Sequence, residues 1–168
     1  MSTNHGFPPI AAPDARILIL GSMPGKRSLE KYQYYAHPRN NFWPIILELF
    51  NSDKKLSYEQ RKKFLHKNKI ALWDVLKSCY REGSLDSDID PLTIEANDFK
   101  SFFMKHPKIK NVFFNGAKAE QIFKKEISKN LIDIENLTFH KLPSTSPAHA
   151  AMSREKKLSE WKIIKELI

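Results

Sequence analysis

Three stretches of this chain combine residue types that chemistry can use. The first, Gly21-Ser22-Met23-Pro24-Gly25-Lys26-Arg27-Ser28, packs two glycines and a proline into a tight turn. Its exposed backbone amides can hold an anion or an extruded nucleobase. A nucleotide-binding P-loop needs Gly-x-x-x-x-Gly-Lys-Ser/Thr, but here the glycines stand one residue too close and Arg27 intervenes. The second stretch is Tyr34-Tyr35-Ala36-His37-Pro38-Arg39-Asn40-Asn41-Phe42-Trp43. Asn40 is suited to capping a helix that carries Pro44 in its first turn and Phe42 and Trp43 in a core. The same polar, aromatic approach to a helix start is also a place where amides and side chains meet a charged or flat ligand. The third stretch, Leu142-Pro143-Ser144-Thr145-Ser146-Pro147-Ala148-His149, sets three hydroxyls between two prolines, with Lys141 nearby. Such a stiff loop can grip phosphates and push a small apolar tip into a base stack, although the hydroxyls equally suit plain turn chemistry.

The elements that must position these stretches can be read from the apolar pattern. Short apolar runs at Arg16–Leu20, Ile70–Trp73, Asn111–Phe114 and Leu137–Leu142 predict buried strands. Segments of helical period lie between them, at Phe42–Phe50, Tyr58–His66, Phe99–Lys105 and Ala117–Ile127. A last helix is predicted from about Arg154 to Leu167, with Leu158, Trp161, Ile164 and Ile168 on one stripe. Strands that alternate with helices imply parallel pairing, because a parallel return needs a crossover element. The expected fold is therefore α/β, a three-layer α/β/α sandwich with a central four-stranded parallel sheet. Ligands of such sheets bind beyond the carboxyl ends of the strands, where Gly21–Gly25, Asp74, Asn115-Gly116 and Pro143–Pro147 fall.

Length and composition narrow the function. The 168 residues suit one domain over 1–168, with 1–13 expected as a loosely ordered arm. A single cysteine, Cys79, and scattered histidines offer no metal-ligand pair, so no metal and no cofactor are expected. The absence of a long apolar run or a leader-like start predicts a soluble, cytoplasmic protein without a membrane partner, and a monomer is expected. Lysine and arginine outnumber acidic residues 28 to 19, a formal net charge of +9, which attracts a polyanion such as nucleic acid. Individual lysine clusters, such as Arg61-Lys62-Lys63, also serve simply to solvate exposed helices.

Taken together, the three stretches resemble the motifs of the uracil-DNA glycosylase superfamily. Gly21-Ser22-Met23-Pro24-Gly25 resembles the Gly-Ile-Asn-Pro-Gly turn of the mismatch-specific uracil and thymine glycosylases. Tyr35-Ala36-His37-Pro38-Arg39-Asn40-Asn41-Phe42-Trp43 is similar to their Phe-Ala-His-Pro-x-Asn-x-Phe-Trp, and Leu142-Pro143-Ser144-Thr145-Ser146 to their Met-Pro-Ser-Ser-Ser. The fuller likeness is to the deoxyinosine-specific (hypoxanthine-DNA) branch, with Gly-Ser-Met-Pro-Gly, Tyr-Tyr and Leu-Pro-Ser-Thr-Ser-Pro-Ala. Leu72-Trp73-Asp74-Val75 and Gly83-Ser84-Leu85-Asp86-Ser87 also look like that branch. The resemblance spans roughly residues 15 to 150.

This resemblance implies a base-excision repair glycosylase that hydrolyses the N-glycosidic bond of hypoxanthine in deoxyinosine and leaves an abasic site. Its partner would be DNA containing a deaminated base. In the mismatch-specific relatives the Asn of Gly-Ile-Asn-Pro-Gly positions the attacking water. Met23 stands there in this chain and cannot do so, and the likeness to the hypoxanthine branch carries the catalytic role to Asn40. By the same likeness the base lies on Tyr35 beside Gly21, Ser22, Met23, Pro24 and Gly25, with Asn115 reading its edge and His37 as a helper or a shaper of the turn. DNA contacts are expected from Lys26, Ser28, Arg39, Ser144, Thr145, Ser146, Pro147 and Ala148. Two alternatives stay open: a mismatch-specific uracil/thymine-DNA glycosylase, and a non-catalytic nucleic-acid-binding protein on the same fold.

Overall fold

The computed structural model describes residues 2–127 and 134–168; Met1, the first residue of the expected arm, lies outside the described residues. In chain order the elements are β1 (Asn4–His5), β2 (Ile17–Gly21), α1 (Lys26–Lys31), α2 (Phe42–Leu49), α3 (Tyr58–Lys67), β3 (Ile70–Asp74) and β4 (Leu76–Cys79). There follow β5 (Glu95–Ala96), α4 (Phe99–Lys105), β6 (Asn111–Asn115), α5 (Ala117–Glu126), β7 (Thr138–Leu142), α6 (Arg154–Trp161) and α7 (Ile163–Glu166).

The four apolar runs form a parallel sheet in the order β3-β2-β6-β7. Side chains alternate across a strand, so each run feeds two cores. Ile17, Ile19, Ile70, Leu72 and Phe113 face one side, where they pack with Phe42 and Ile46 of α2, Leu65 of α3, and Trp161 and Ile164 near the C-terminus. Leu18, Leu20, Ala71, Trp73, Val112 and Phe114 face the other, against Phe99 and Phe102 of α4 and Ile122 and Phe123 of α5. Helices thus cover both faces, the three-layer arrangement expected. β2, an inner strand of this doubly covered sheet, is buried at every position; so is β3 at the edge, where Ile10 bridges to Leu72.

Register matters most for function. Gly21 pairs with Asp74 and Asn115 with Leu142, and Leu20 pairs with Phe114. All four strands therefore end along one rim.

Two expectations need correction, and one further feature was not foreseen. Residues 2–13 do not form a loose arm: Asn4–His5 pairs with β4, Phe7 and Ile10 are buried, and Ile10 exchanges backbone hydrogen bonds of 2.9 and 2.8 Å with Leu72. The two apolar anchors outweigh the polar character of the segment. A second, antiparallel sheet of order β1-β4-β5 was not foreseen, because its strands are too short to show a period. The C-terminal helix is not continuous: α6 ends at Trp161 and α7 begins at Ile163.

Candidate active site

A cavity of about 380 Å³ opens at the rim where the parallel strands end. That volume is near the lower end of small-molecule sites, roughly 300–1,000 Å³, and suits one base rather than a large ligand. Its lining draws on all three stretches singled out in the sequence: the turn after β2, the segment before α2, and the loop after β7.

The glycine turn forms the inner wall. Val75 N–H donates to Gly21 O at 2.8 Å and Leu76 N–H to Ser22 O at 3.1 Å, so the continuation of β3 holds the turn in place. Met23 and Pro24 are buried, and the buried Arg81 donates to Pro24 O through Nη2. Ser22 Oγ donates to Asp86 Oδ1 at 2.5 Å, and Lys26 N–H to Ser84 Oγ at 2.9 Å. These bonds bring Ser84–Ser87 to the mouth, a segment to which the sequence analysis gave no role.

Tyr35 has φ 54°, a left-handed conformation that costs a residue with a Cβ roughly 1–3 kcal/mol. The surroundings maintain it: Ala36 N–H donates to Ser28 Oγ at 3.1 Å, and the ring stacks on Phe42 with centroids 4.2 Å apart. The strain sends the phenol inward. A Cβ placed on Gly21 would lie 2.9 Å from the Tyr35 hydroxyl and 2.5 Å from Asp74 Oδ1, so no larger residue fits at the floor. Burial pushes the Tyr35 phenol well above its ordinary range; the Asp74 carboxylate adds to the rise and the Asn115 amide partly offsets it. For Asp74, burial and then the Asp86 carboxylate raise the carboxyl to about 7, with the Arg81 guanidinium acting in the other direction. Neither the Tyr35 hydroxyl nor Asp74 Oδ2 completes a hydrogen bond among the described residues.

Asn40 lines the cavity beside His37. Its N–H donates to His37 O at 2.9 Å, and its Oδ1 accepts from Phe42 N–H at 2.9 Å. The N-cap position itself belongs to Asn41, whose side chain makes no cap bond, while Asn41 N–H donates to Thr145 O at 3.0 Å. Asn40 thus secures the helix start with its carbonyl and keeps its amide nitrogen for another partner. His37 Nδ1 accepts from Arg39 N–H at 3.1 Å and so shapes the turn.

The loop after β7 is braced from inside. Asn115 Nδ2 donates to Thr145 Oγ1 and Thr145 N–H donates back to Asn115 Oδ1, each at 2.9 Å. Trp161 Nε1 donates to Pro143 O at 2.9 Å. Ser146 N–H donates to Ser144 Oγ at 3.1 Å and Ala148 N–H to Ser146 Oγ at 3.2 Å, which curls the loop toward the mouth. Gly116 has φ 97°, and a Cβ there would meet Ser144 Cβ at 3.1 Å.

Of the residues selected from the sequence, all but Arg39 line this cavity. Arg39 is exposed on the turn beside it. Two of the residues expected to touch DNA lie inside the protein: Ser28 is buried with its hydroxyl accepting from Ala36, and Thr145 is fully buried against Asn115. Both hydroxyls serve as internal struts. Asp74 lay among the strand-end positions, and Asp86 in the Gly83–Ser87 run that resembles the hypoxanthine branch, each without an assigned role; Arg81 carried no signal, because only folding brings it to the turn.

Comparison with known proteins agrees with this geometry. The family model described as uracil DNA glycosylase superfamily matches residues 8–168. A hypoxanthine DNA glycosylase of Methanosarcina barkeri is 43% identical over 116 residues, 68% of this chain and 72% of that protein. One of Methanosarcina acetivorans is 36% identical over 161 residues, 95% of this chain and 96% of that protein. The solution NMR structure of a candidate uracil DNA glycosylase from Methanosarcina acetivorans superposes with a TM-score of 0.80 at 35% identity, covering 97% of this chain and 96% of that one. Fold, rim and motif positions lead to one assignment: this chain belongs to the uracil DNA glycosylase superfamily.

Proposed function

We propose that this chain is a monofunctional DNA glycosylase of base-excision repair that removes hypoxanthine from deoxyinosine and leaves an abasic site. The observation that carries the reading is the convergence of the glycine turn, the Asn40 turn and the serine loop on one base-sized cavity. Two relatives that match 68% and 95% of this chain carry the name hypoxanthine DNA glycosylase, which supports the choice of base.

A base in a duplex stack is out of reach, so the nucleotide must rotate out at a cost of a few kcal/mol, least at a mispair. Deoxyinosine mispairs readily. Ser144, Ser146, Pro147 and Ala148, at the mouth, would contact the backbone and fill the vacated stack, with Lys26 and Arg39 meeting phosphates. The extruded base enters between the Ser22–Gly25 turn and Tyr35, one face of whose ring Phe42 already covers.

Breaking the N-glycosidic bond develops positive charge on the sugar and negative charge on the base. Asn40, which lines the cavity and uses its carbonyl on Phe42 N–H, would hold the attacking water through its amide nitrogen, while turn amides and Asn115 would stabilise the departing purine. Met23, buried in the wall, has no group that could orient water. The protein would act as a cytoplasmic monomer, and the hydrolysis as proposed calls for no metal.

The test is a panel of duplexes carrying hypoxanthine, xanthine, uracil or thymine in defined pairs, treated with pure protein and then with hot alkali. Hypoxanthine release supports the proposal. Release of uracil or thymine alone would favour the mismatch-specific alternative, and tight binding without release would favour a non-catalytic binding protein.

A further inference from the structure

Breaking the glycosidic bond places positive charge on the sugar, where Asn40 and the turn amides offer no negative group. Two carboxylates line the cavity, Asp74 and Asp86. Asp74 is 4% exposed at the floor, whereas Asp86 is exposed at the mouth. A base that enters between the Ser22–Gly25 turn and Tyr35 leaves its deoxyribose outside, because a cavity of about 380 Å³ has no room for the DNA backbone. The sugar therefore stays at the level of Asp86, not of Asp74.

Asp86 is fixed in that place. Its Oδ1 accepts from Ser22 Oγ at 2.5 Å on the base-binding turn, and its backbone oxygen accepts from Ile89 N–H at 3.3 Å to close the short helical turn over Asp86–Asp88. Ser84 Oγ, accepting from Lys26 N–H at 2.9 Å, ties the same segment to the turn a second time. Among the described residues Oδ2 has no hydrogen bond and the carboxylate no ion pair. Its field reaches inside the cavity, where, after burial itself, it adds to what opposes ionisation of Asp74 and Tyr35. An unpaired anion at the entrance repels phosphates in a chain whose net charge of +9 otherwise attracts them. That cost in affinity is explained if the same charge favours a cation formed during the reaction.

Resting on the function proposed above, we propose that the Asp86 carboxylate lies against the deoxyribose of the extruded nucleotide and stabilises the oxocarbenium ion that forms there. The C1′–N9 bond breaks with its electron pair leaving on the purine, and positive charge spreads over C1′ and O4′. The oxygen of the water held by Asn40 bonds to C1′ and sheds a proton to solvent; the purine anion takes one from solvent and leaves as hypoxanthine. Asp86 forms no bond and exchanges no proton. The departing base lies deeper, against the turn amides, so the carboxylate opposes it less than it favours the nearer sugar.

The experiment pairs single-turnover excision from deoxyinosine duplex with binding of two uncleavable duplexes. One carries a neutral tetrahydrofuran abasic analogue and the other its pyrrolidine counterpart, whose ring nitrogen is positively charged at neutral pH. Asp86→Asn keeps an oxygen that accepts from Ser22 Oγ and removes only the charge. Its excision rate at saturating protein is expected to fall about ten- to a hundredfold. Its binding of the neutral duplex is expected to hold or tighten, the opposite of what a damaged site would do. The wild type is expected to bind the pyrrolidine duplex at least about tenfold tighter than the neutral one, and Asp86→Asn to lose most of that preference. Asp88→Asn, the same charge change at an exposed residue that does not line the cavity, is expected to excise at the wild-type rate. An Asp86→Asn rate within about threefold of wild type, weaker binding of the neutral duplex, or an unchanged preference for the cation overturns the inference and leaves the glycosylase reading standing. So does a fall in Asp88→Asn as large as that in Asp86→Asn. Absence of excision by the wild type overturns both.

Discussion

Asn115 and Thr145 exchange two hydrogen bonds of 2.9 Å, tying the end of β6 to the loop that follows β7. The side chain that the sequence presented as a reader of the base thus spends one amide hydrogen and one carbonyl lone pair on holding the serine loop.

Asn115→Ala removes both bonds and leaves the fully buried Thr145 without partners for its N–H and hydroxyl. A loss of about 1–3 kcal/mol is expected in denaturant unfolding, together with weaker DNA binding as the loop loosens. Thr145→Ser keeps both bonds, gives up one methyl, and is expected to cost only about 1 kcal/mol.

Asn40→Ala tests the water-holding role apart from the helix start. Losing the bond to Phe42 N–H costs about 0.5–2 kcal/mol, which leaves the protein folded at moderate temperature. Under those conditions single-turnover excision is expected to fall by about a hundredfold or more. An unchanged rate in a folded variant takes Asn40 out of the mechanism.

Gly21→Ala places a Cβ 2.5 Å from Asp74 Oδ1 and 2.9 Å from the Tyr35 hydroxyl. Both neighbours are packed side chains at the floor, so the floor must shift at a cost of about 1–3 kcal/mol, and base excision should be lost before the fold is. Melting curves and excision assays on the same preparation check the order.

Asp74 also links stability to pH. Its carboxyl is held up at about 7 in the folded chain against an ordinary value of 3.8. The folded state therefore binds the proton more tightly than the unfolded state. The stabilisation is fully present below the unfolded value and is lost as pH rises through the folded one. Asp74→Asn, uncharged throughout, should gain in Tm relative to wild type as pH rises across this window; a difference in Tm that stays constant with pH would contradict the assignment.

Much of this architecture is visible in the sequence because strands of a sheet covered on both faces are continuous apolar runs, as at Ile17–Gly21 and Ile70–Asp74, and α4 shows its helical period cleanly. The three site stretches stand out because glycine, proline and clustered hydroxyls punctuate strand ends. Side-chain direction is less visible: Ser28 and Thr145 have surface-type hydroxyls, yet each is spent on an internal bond. The small antiparallel sheet depends on pairing Asn4–His5 with β4, a long-range contact that no local period announces. Asp74 becomes distinctive only once Asp86 and Tyr35 surround it.

The central claim is that the common cavity cleaves the bond between sugar and hypoxanthine. Its most direct test follows a duplex with one labelled deoxyinosine under excess protein, with free base and strand integrity measured in the same sample. The account predicts one hypoxanthine released for each abasic site, with strands intact until alkali is added. Duplex that stays bound with its deoxyinosine unaltered would contradict it.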